Sequence, residues 1–281
     1  MTKQQESVVL VSRVARHGSS KALERVFQLS LNHAERGAER RRLTVEAMAP
    51  TWRAIESDKA ASTAHSKLIE LLKREDRVSK ATKSNRPGMS PDFGIPPGAS
   101  VFFPPYDFEK PTPGVPGQNM YGSGDPVAGT VEVECRPNLI FDGPFSISAA
   151  VGVGLTFQTA GVVGVRPLIR YEGEGFTRAA FVTGSSHGHV GFFVEAEDGP
   201  VVSAPADLSV WDMNSDNLGD YDGYFGPYSE VRFHAEAGRR YILWIWATVS
   251  GDQSGGDHVI IWGQAGGSLS LGIPMVSVQT Y

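Results

Sequence analysis

Cysteine occurs once in the 281 residues, as Cys135. A single thiol excludes an intrachain disulfide, a redox pair and a cysteine-based zinc site. Glycine and proline are nearly missing from residues 1–86, at 2 and 1 against 30 and 17 in the remainder. Positive charge is scarce in that remainder, where 8 Lys/Arg face 21 Asp/Glu for a net of −13. Residues 1–86 carry the opposite balance, 18 against 10 for a net of +8. A step in three independent quantities at one place marks physically different modules. Catalytic signatures are also lacking. The chain has no phosphate-cradling loop ending in Lys-Ser/Thr and no dinucleotide fingerprint after a strand. A non-enzymatic protein is therefore expected.

The apolar run Val8 to Val11 is shorter than a signal-peptide core, and no small-residue cleavage site follows it. The expected place of synthesis is the cytoplasm, with use there or in a virion or other released particle. No charge lies between Asp142 and Arg166, a stretch of 23 residues. Gly152, Gly154, Gly161 and Gly164 interrupt it, and Val151, Val153, Leu155 and Phe157 repeat at period two. That pattern predicts a buried strand and its return rather than a membrane-spanning helix.

The chain reads as an α+β multi-module protein in three parts. Residues 1–84 form a basic helical anchor or oligomerisation module. Leu23, Val26, Phe27, Ser30, Leu31 and Ala34 recur at helical spacing after Ser19 or Ser20 as N-cap. Pro50 is expected to end or kink that helix, with Thr51 opening a second. The apolar stripe is thin for a self-sufficient hairpin, so a partner is expected. Arg40, Arg41 and Arg42 read as a solvated face, with nucleic acid or an acidic protein as the partners such charge would suit.

Residues 85–126 form a proline-rich extended arm. It holds ten prolines in 42 residues, together with Phe93, Phe102, Phe103, Tyr106 and Phe108. Rings on a stiff backbone imply a segment laid on a surface, either a neighbour's, as assembly contacts, or its own β-domain. Residues 127–281 are all-β and acidic, with eight to ten readable strands and no helical period. This predicts a two-sheet sandwich, jelly-roll-like in type. The stretch 241–249 is apolar at every position up to Ala247 and belongs at the centre of a sheet covered on both sides.

Two clusters merit a site reading. His187 and His189 lie two apart, with Glu195 on the same strand parity, as imidazole and carboxylate ligands would. This arrangement resembles the first motif of the cupins, jelly-roll proteins that bind metals through two His, a Glu and a later His. The resemblance covers about a dozen residues, and the Glu falls later than the cupin spacing, since residues 193 and 194 are Phe and Val. It implies a metalloenzyme, with His234 or His258 as the later ligand.

The second cluster runs from Asp212 to Tyr228. Asp212, Asn214, Asp216 and Asp220 are spaced like the oxygen ligands of calcium loops, although Asn217 replaces the turn glycine. Trp211, Tyr221 and Tyr224 beside Asp220 and Asp222 form the ring-and-carboxylate pattern that binds sugars. The expectation is an acidic turn-rich loop, with a calcium- or glycan-binding module as the alternative function. The primary expectation is a structural component of a virion or phage-tail-like particle, homo-oligomeric and without a cofactor.

Overall fold

The computed structural model describes residues 16–17, 19–64, 67, 94–138, 141–179, 184–214, 217–226, 229–253 and 263–281. Phe93, Asp216, Tyr228 and the strand expected at 258–262 lie outside them.

One long helix, α1 (Lys21–Ser57), precedes the sheets. Its start is where a cap was expected, with Ser20 Oγ accepting the Leu23 N–H at 3.0 Å. Pro50 does not end it. The ring withdraws one N–H from the ladder, but it sits at an exposed turn where the orphaned carbonyl stays open to water. The restart falls at Asp58 rather than Thr51. Asp58 Oδ1 accepts the N–H groups of Ala60 and Ala61 at 2.8 and 3.1 Å and caps a helical stretch at 59–64.

The strands are β1 (Arg16–His17), β2 (Ser100–Phe102), β3 (Phe108–Lys110), β4 (Asn119–Asp125), β5 (Thr130–Arg136), β6 (Gly143–Thr156) and β7 (Gly161–Ala179). They continue as β8 (Ser185–Ala196), β9 (Ala206–Met213), β10 (Asn217–Tyr224), β11 (Val231–Ala235), β12 (Arg240–Gln253) and β13 (Gly263–Thr280). One sheet has the order β1-β3-β6-β12-β8-β9 and the other β10-β7-β13-β5-β4, with β11 beside β7 and β2 beside β13. Apart from the parallel β1–β3 contact, the pairings are antiparallel. The result is a two-sheet β-sandwich.

Period-two alternation fills the space between the sheets. Val151, Val153 and Leu155 of β6 meet Tyr241, Leu243, Ile245 and Val249 of β12, and Val131, Leu269 and Leu271 close the core from the other sheet. β12 lies centrally, between β6 and β8, as its composition predicted. Its alternate residues Ile242, Trp244 and Trp246 point away from that core. They form a second apolar cluster with Phe108, Phe193 and Leu23 of α1, and Val26 and Phe27 pack against it. The first half of α1 therefore serves as the outer cover of its own sandwich.

The segment expected as an arm is built into both sheets from Ser100 onward. It supplies β2 and β4 to one sheet and β3 to the other, and the boundary expected at 126 falls inside the β4–β5 hairpin. Of the two surfaces considered for its rings, the structure takes the chain's own. Phe102, Tyr106 and Phe108 are buried, and Tyr106 donates its O–H to the Ile273 carbonyl at 2.8 Å. Phe103 remains exposed. Burial alternates at period two along the edge strand β4, and β2 and β3 are only three residues long, so the prolines that flank them fall outside the ladders.

Ser20 also donates its hydroxyl to Glu195 of β8 at 2.8 Å, so one side chain both starts α1 and ties it to the sheet. Ser20→Ala should lower stability by about 1–2 kcal/mol. Urea unfolding of the full chain checks this, and an unchanged midpoint would contradict the double role.

Candidate functional site

β8 alternates between the two apolar clusters. Val190, Phe192 and Val194 enter the sandwich core, while His187, His189, Phe193 and Glu195 share the outer face beneath α1. The shared parity expected for the cupin-like set is present. The set itself does not assemble. Six residues of strand span about 20 Å, and Glu195 is engaged elsewhere. Its Oε2 accepts Ser20, and its Oε1 accepts the Trp244 indole N–H at 2.6 Å. Burial pushes the Glu195 carboxyl above its usual range, and these two donors oppose that rise. His234 is exposed on β11 in the opposite sheet, and His258 lies outside the described residues. Among the described residues, no three His, Cys, Asp or Glu side chains come together as a metal-binding group.

What His187 does meet was not read from the sequence. The His33 ring of α1 stacks on it with centroids 4.6 Å apart and planes 24° apart. Asp212 Oδ1 of β9 lies 2.8 Å from its Nδ1. Burial lowers the His187 pKa, Asp212 opposes the fall, and His33 and His189 add to it. Burial likewise lowers that of His189, against Asp207. The helical stripe already carried a signal for His33, which follows Val26 and Ser30 at three-to-four spacing on the sheet-facing side.

The segment 211–224 corrects the expectation of a turn-rich loop. Residues 211–213 form the end of β9 and 217–224 form β10, one in each sheet. Gly219, Tyr221 and Gly223 alternate with Asp220 and Asp222, which is strand periodicity written in residues of low strand propensity. Asp220 and Asp222 stand opposite Glu174 and Glu172 on the outer face of β7, away from Asp212. Asn214 donates to Asp212 at 2.9 Å, and Asp216 lies outside the described residues. The spacing that suggested a calcium loop is thus divided between two sheets.

Trp211 is not a platform for sugars, because it is 3% exposed. Its indole N–H donates to Ser186 Oγ at 3.0 Å, and its ring stacks on Tyr221 at 5.5 Å. Glycines make the space for it. A Cβ at Gly175, Gly188 or Gly267 would lie 2.6, 2.4 or 2.7 Å from the indole. Tyr224 and Tyr221 are both half-buried.

The three arginines of the basic run have different fates. Arg41 is buried, with Nη1 2.8 Å from Asp252 Oδ2, while Arg42 is clasped by Glu39 and Glu46 of its own helix. Arg40 is exposed.

No family model matches the chain. No curated protein matches it either. Among solved structures, a subviral particle of infectious bursal disease virus VP2 overlaps 61% of this chain and 42% of its own, at 16% identity and a TM-score of 0.24. TmCBM61 in complex with beta-1,4-galactotriose overlaps 66% of this chain and 90% of its own, at 12% identity and a TM-score of 0.20. BiXyn10A CBM1 overlaps 61% and 89%, at 13% identity and 0.22. These overlaps are partial and carry no argument about ligand or activity. No helix among the described residues is long and apolar enough to cross a membrane.

The glycine enclosure predicts a cost for any side chain added there. Gly188→Ala should destabilise the protein by about 1–3 kcal/mol through overpacking against Trp211. Urea unfolding followed by near-ultraviolet circular dichroism would show it, and wild-type stability would refute it.

Proposed function

We propose that this protein is a non-enzymatic structural component of a multi-subunit particle of the virion or phage-tail-like kind. In that particle a jelly-roll sandwich is displayed and a helix joins it to neighbours. The observation that carries this reading is the length of α1. Among its described residues the last buried one is Arg41, yet it continues to Ser57. Sixteen residues of helix extend about 24 Å, and no described residue among them is buried. Leu43 and Met48 are exposed there at 51% and 36%. A helix that outruns its own sheet needs packing from elsewhere, because most helical stability in proteins comes from tertiary contacts.

The strand order supports the jelly-roll part of the reading. Eight strands divide as β10-β7-β13-β5 and β6-β12-β8-β9, so successive strands cross between the sheets except at the β8–β9 pair, in the two-Greek-key manner. The residues best suited to chemistry have structural tasks instead. Trp211 fills the core, Glu195 anchors α1 and Arg41 answers Asp252.

Sedimentation of the full chain tests the proposal. A homo-oligomer is expected, and Leu43→Asp with Met48→Asp should weaken it about tenfold or more, ~1.4 kcal/mol. A wild-type monomer at all concentrations and salt strengths would overturn the reading.

A further inference from the structure

Helix α1 is held to the outer sheet face by apolar contacts and a few polar ones. At one end Ser20 bonds Glu195, and near the last contact Arg41 meets Asp252, which also accepts the Ser185 hydroxyl. Between them is the His33–His187 stack, the one ring pair that joins α1 to β8 among the described residues. Two neutral imidazoles stack without penalty. Two imidazolium rings 4.6 Å apart repel, and one of them is 2% exposed, with little water to screen it.

We propose that the His33–His187 stack is an acid-sensitive latch, whose protonation releases α1 from the sandwich and uncovers Trp244 and Trp246. The surroundings set its sign. On β8 the next outward residue is His189, a further base. On β9, Asp212 and Asp207 favour the charged forms, but Asp212 is more than half exposed. On β12 the residues opposite His187 and His189 are Ser250 and Thr248, which are neutral. Asp252 beyond them is already taken by Arg41, with Arg40 also acting on it, and Asp142 lies 3.7 Å from Arg41. Burial therefore leaves His187 and His189 harder to protonate in the docked state than in a free one. The released state binds more protons, so docking is fully present above pH ~6.5 and is lost as pH falls below it. The apolar cluster beneath α1 holds both indoles, which makes the event visible.

The test is tryptophan emission and acrylamide quenching of the full chain from pH 8 to 5, with far-ultraviolet circular dichroism recorded in parallel. Quenching should rise on acidification while the β signal persists. His33→Phe keeps a stacking ring without a titrating group and should move the midpoint down by on the order of half a pH unit. His33→Lys supplies a permanent cation at the same exposed position and should move it up. His234→Phe, on the opposite sheet, should leave it in place, and EDTA should not shift it. The proposal is overturned by a His33→Phe midpoint equal to wild type, by a midpoint that follows the chelator, or by quenching that rises only as the β signal disappears.

Discussion

Burial of Ile242, Trp244 and Trp246 on the outer face of β12 is the constraint from which the placement of α1 follows. The inner residues of that strand are consumed by the sandwich, so its outward indoles need a second cover. An aromatic side chain brings some 150–250 Å² to such a contact, enough for several kcal/mol when removed from water. Among the described residues, α1 and Phe108 of β3 supply that cover. The helix is thereby as much a part of the sandwich as any strand, over the half of its length that carries Leu23, Val26, Phe27 and Ala34.

Apolar contact does not by itself fix where along a sheet a helix sits. The polar contacts do. Ser20 with Glu195, His33 with His187 and Arg41 with Asp252 fall at successive places along α1 and meet two different strands. A buried pair such as Arg41 and Asp252 recovers much of its desolvation cost only in good geometry, so a shifted register would leave charges unanswered. Gly37 belongs to the same fitting, because a Cβ there would meet Asp252 Oδ1 at 2.8 Å.

Much of the fold was legible because period-two burial is a strong signal where both sheets are apolar. β6, β12 and β13, the central place of β12 and the Ser20 cap follow from residue type and spacing alone. Three features did not. β10 is written in Gly, Asp and Tyr, so its alternation was masked by residues that otherwise mark turns. Residues 100–125 carry prolines that suit short edge strands as well as a free arm, and the choice depends on partners distant in sequence. Pro50 is tolerated because an exposed turn leaves its orphaned carbonyl to water. Of the site residues, the parity of His187, His189 and Glu195 was readable and helical spacing places His33 on the stripe of α1, but which residues of β8 and β9 it meets depends on elements distant in sequence.

The charge step near residue 86 takes on physical meaning from the two outer faces of the sandwich. One face is apolar and is covered by α1, whose Arg41 answers Asp252 and whose Glu24 meets Lys110. The other carries Glu132, Glu134, Glu172, Glu174, Asp220 and Asp222 in cross-strand register, with Asp220 opposite Glu174 and Asp222 opposite Glu172. Like charges directly opposite are unfavourable in an isolated sheet. Their register is set from the inner side, where Tyr221 lies on Trp211 and Gly219 and Gly223 give way to phenol rings. Arg136 relieves part of the repulsion by bridging Glu134 and Glu174. The acidity of the C-terminal part thus follows from a sheet face left to water. The packing that positions Trp211 and the repulsion outside it are two sides of the same strands.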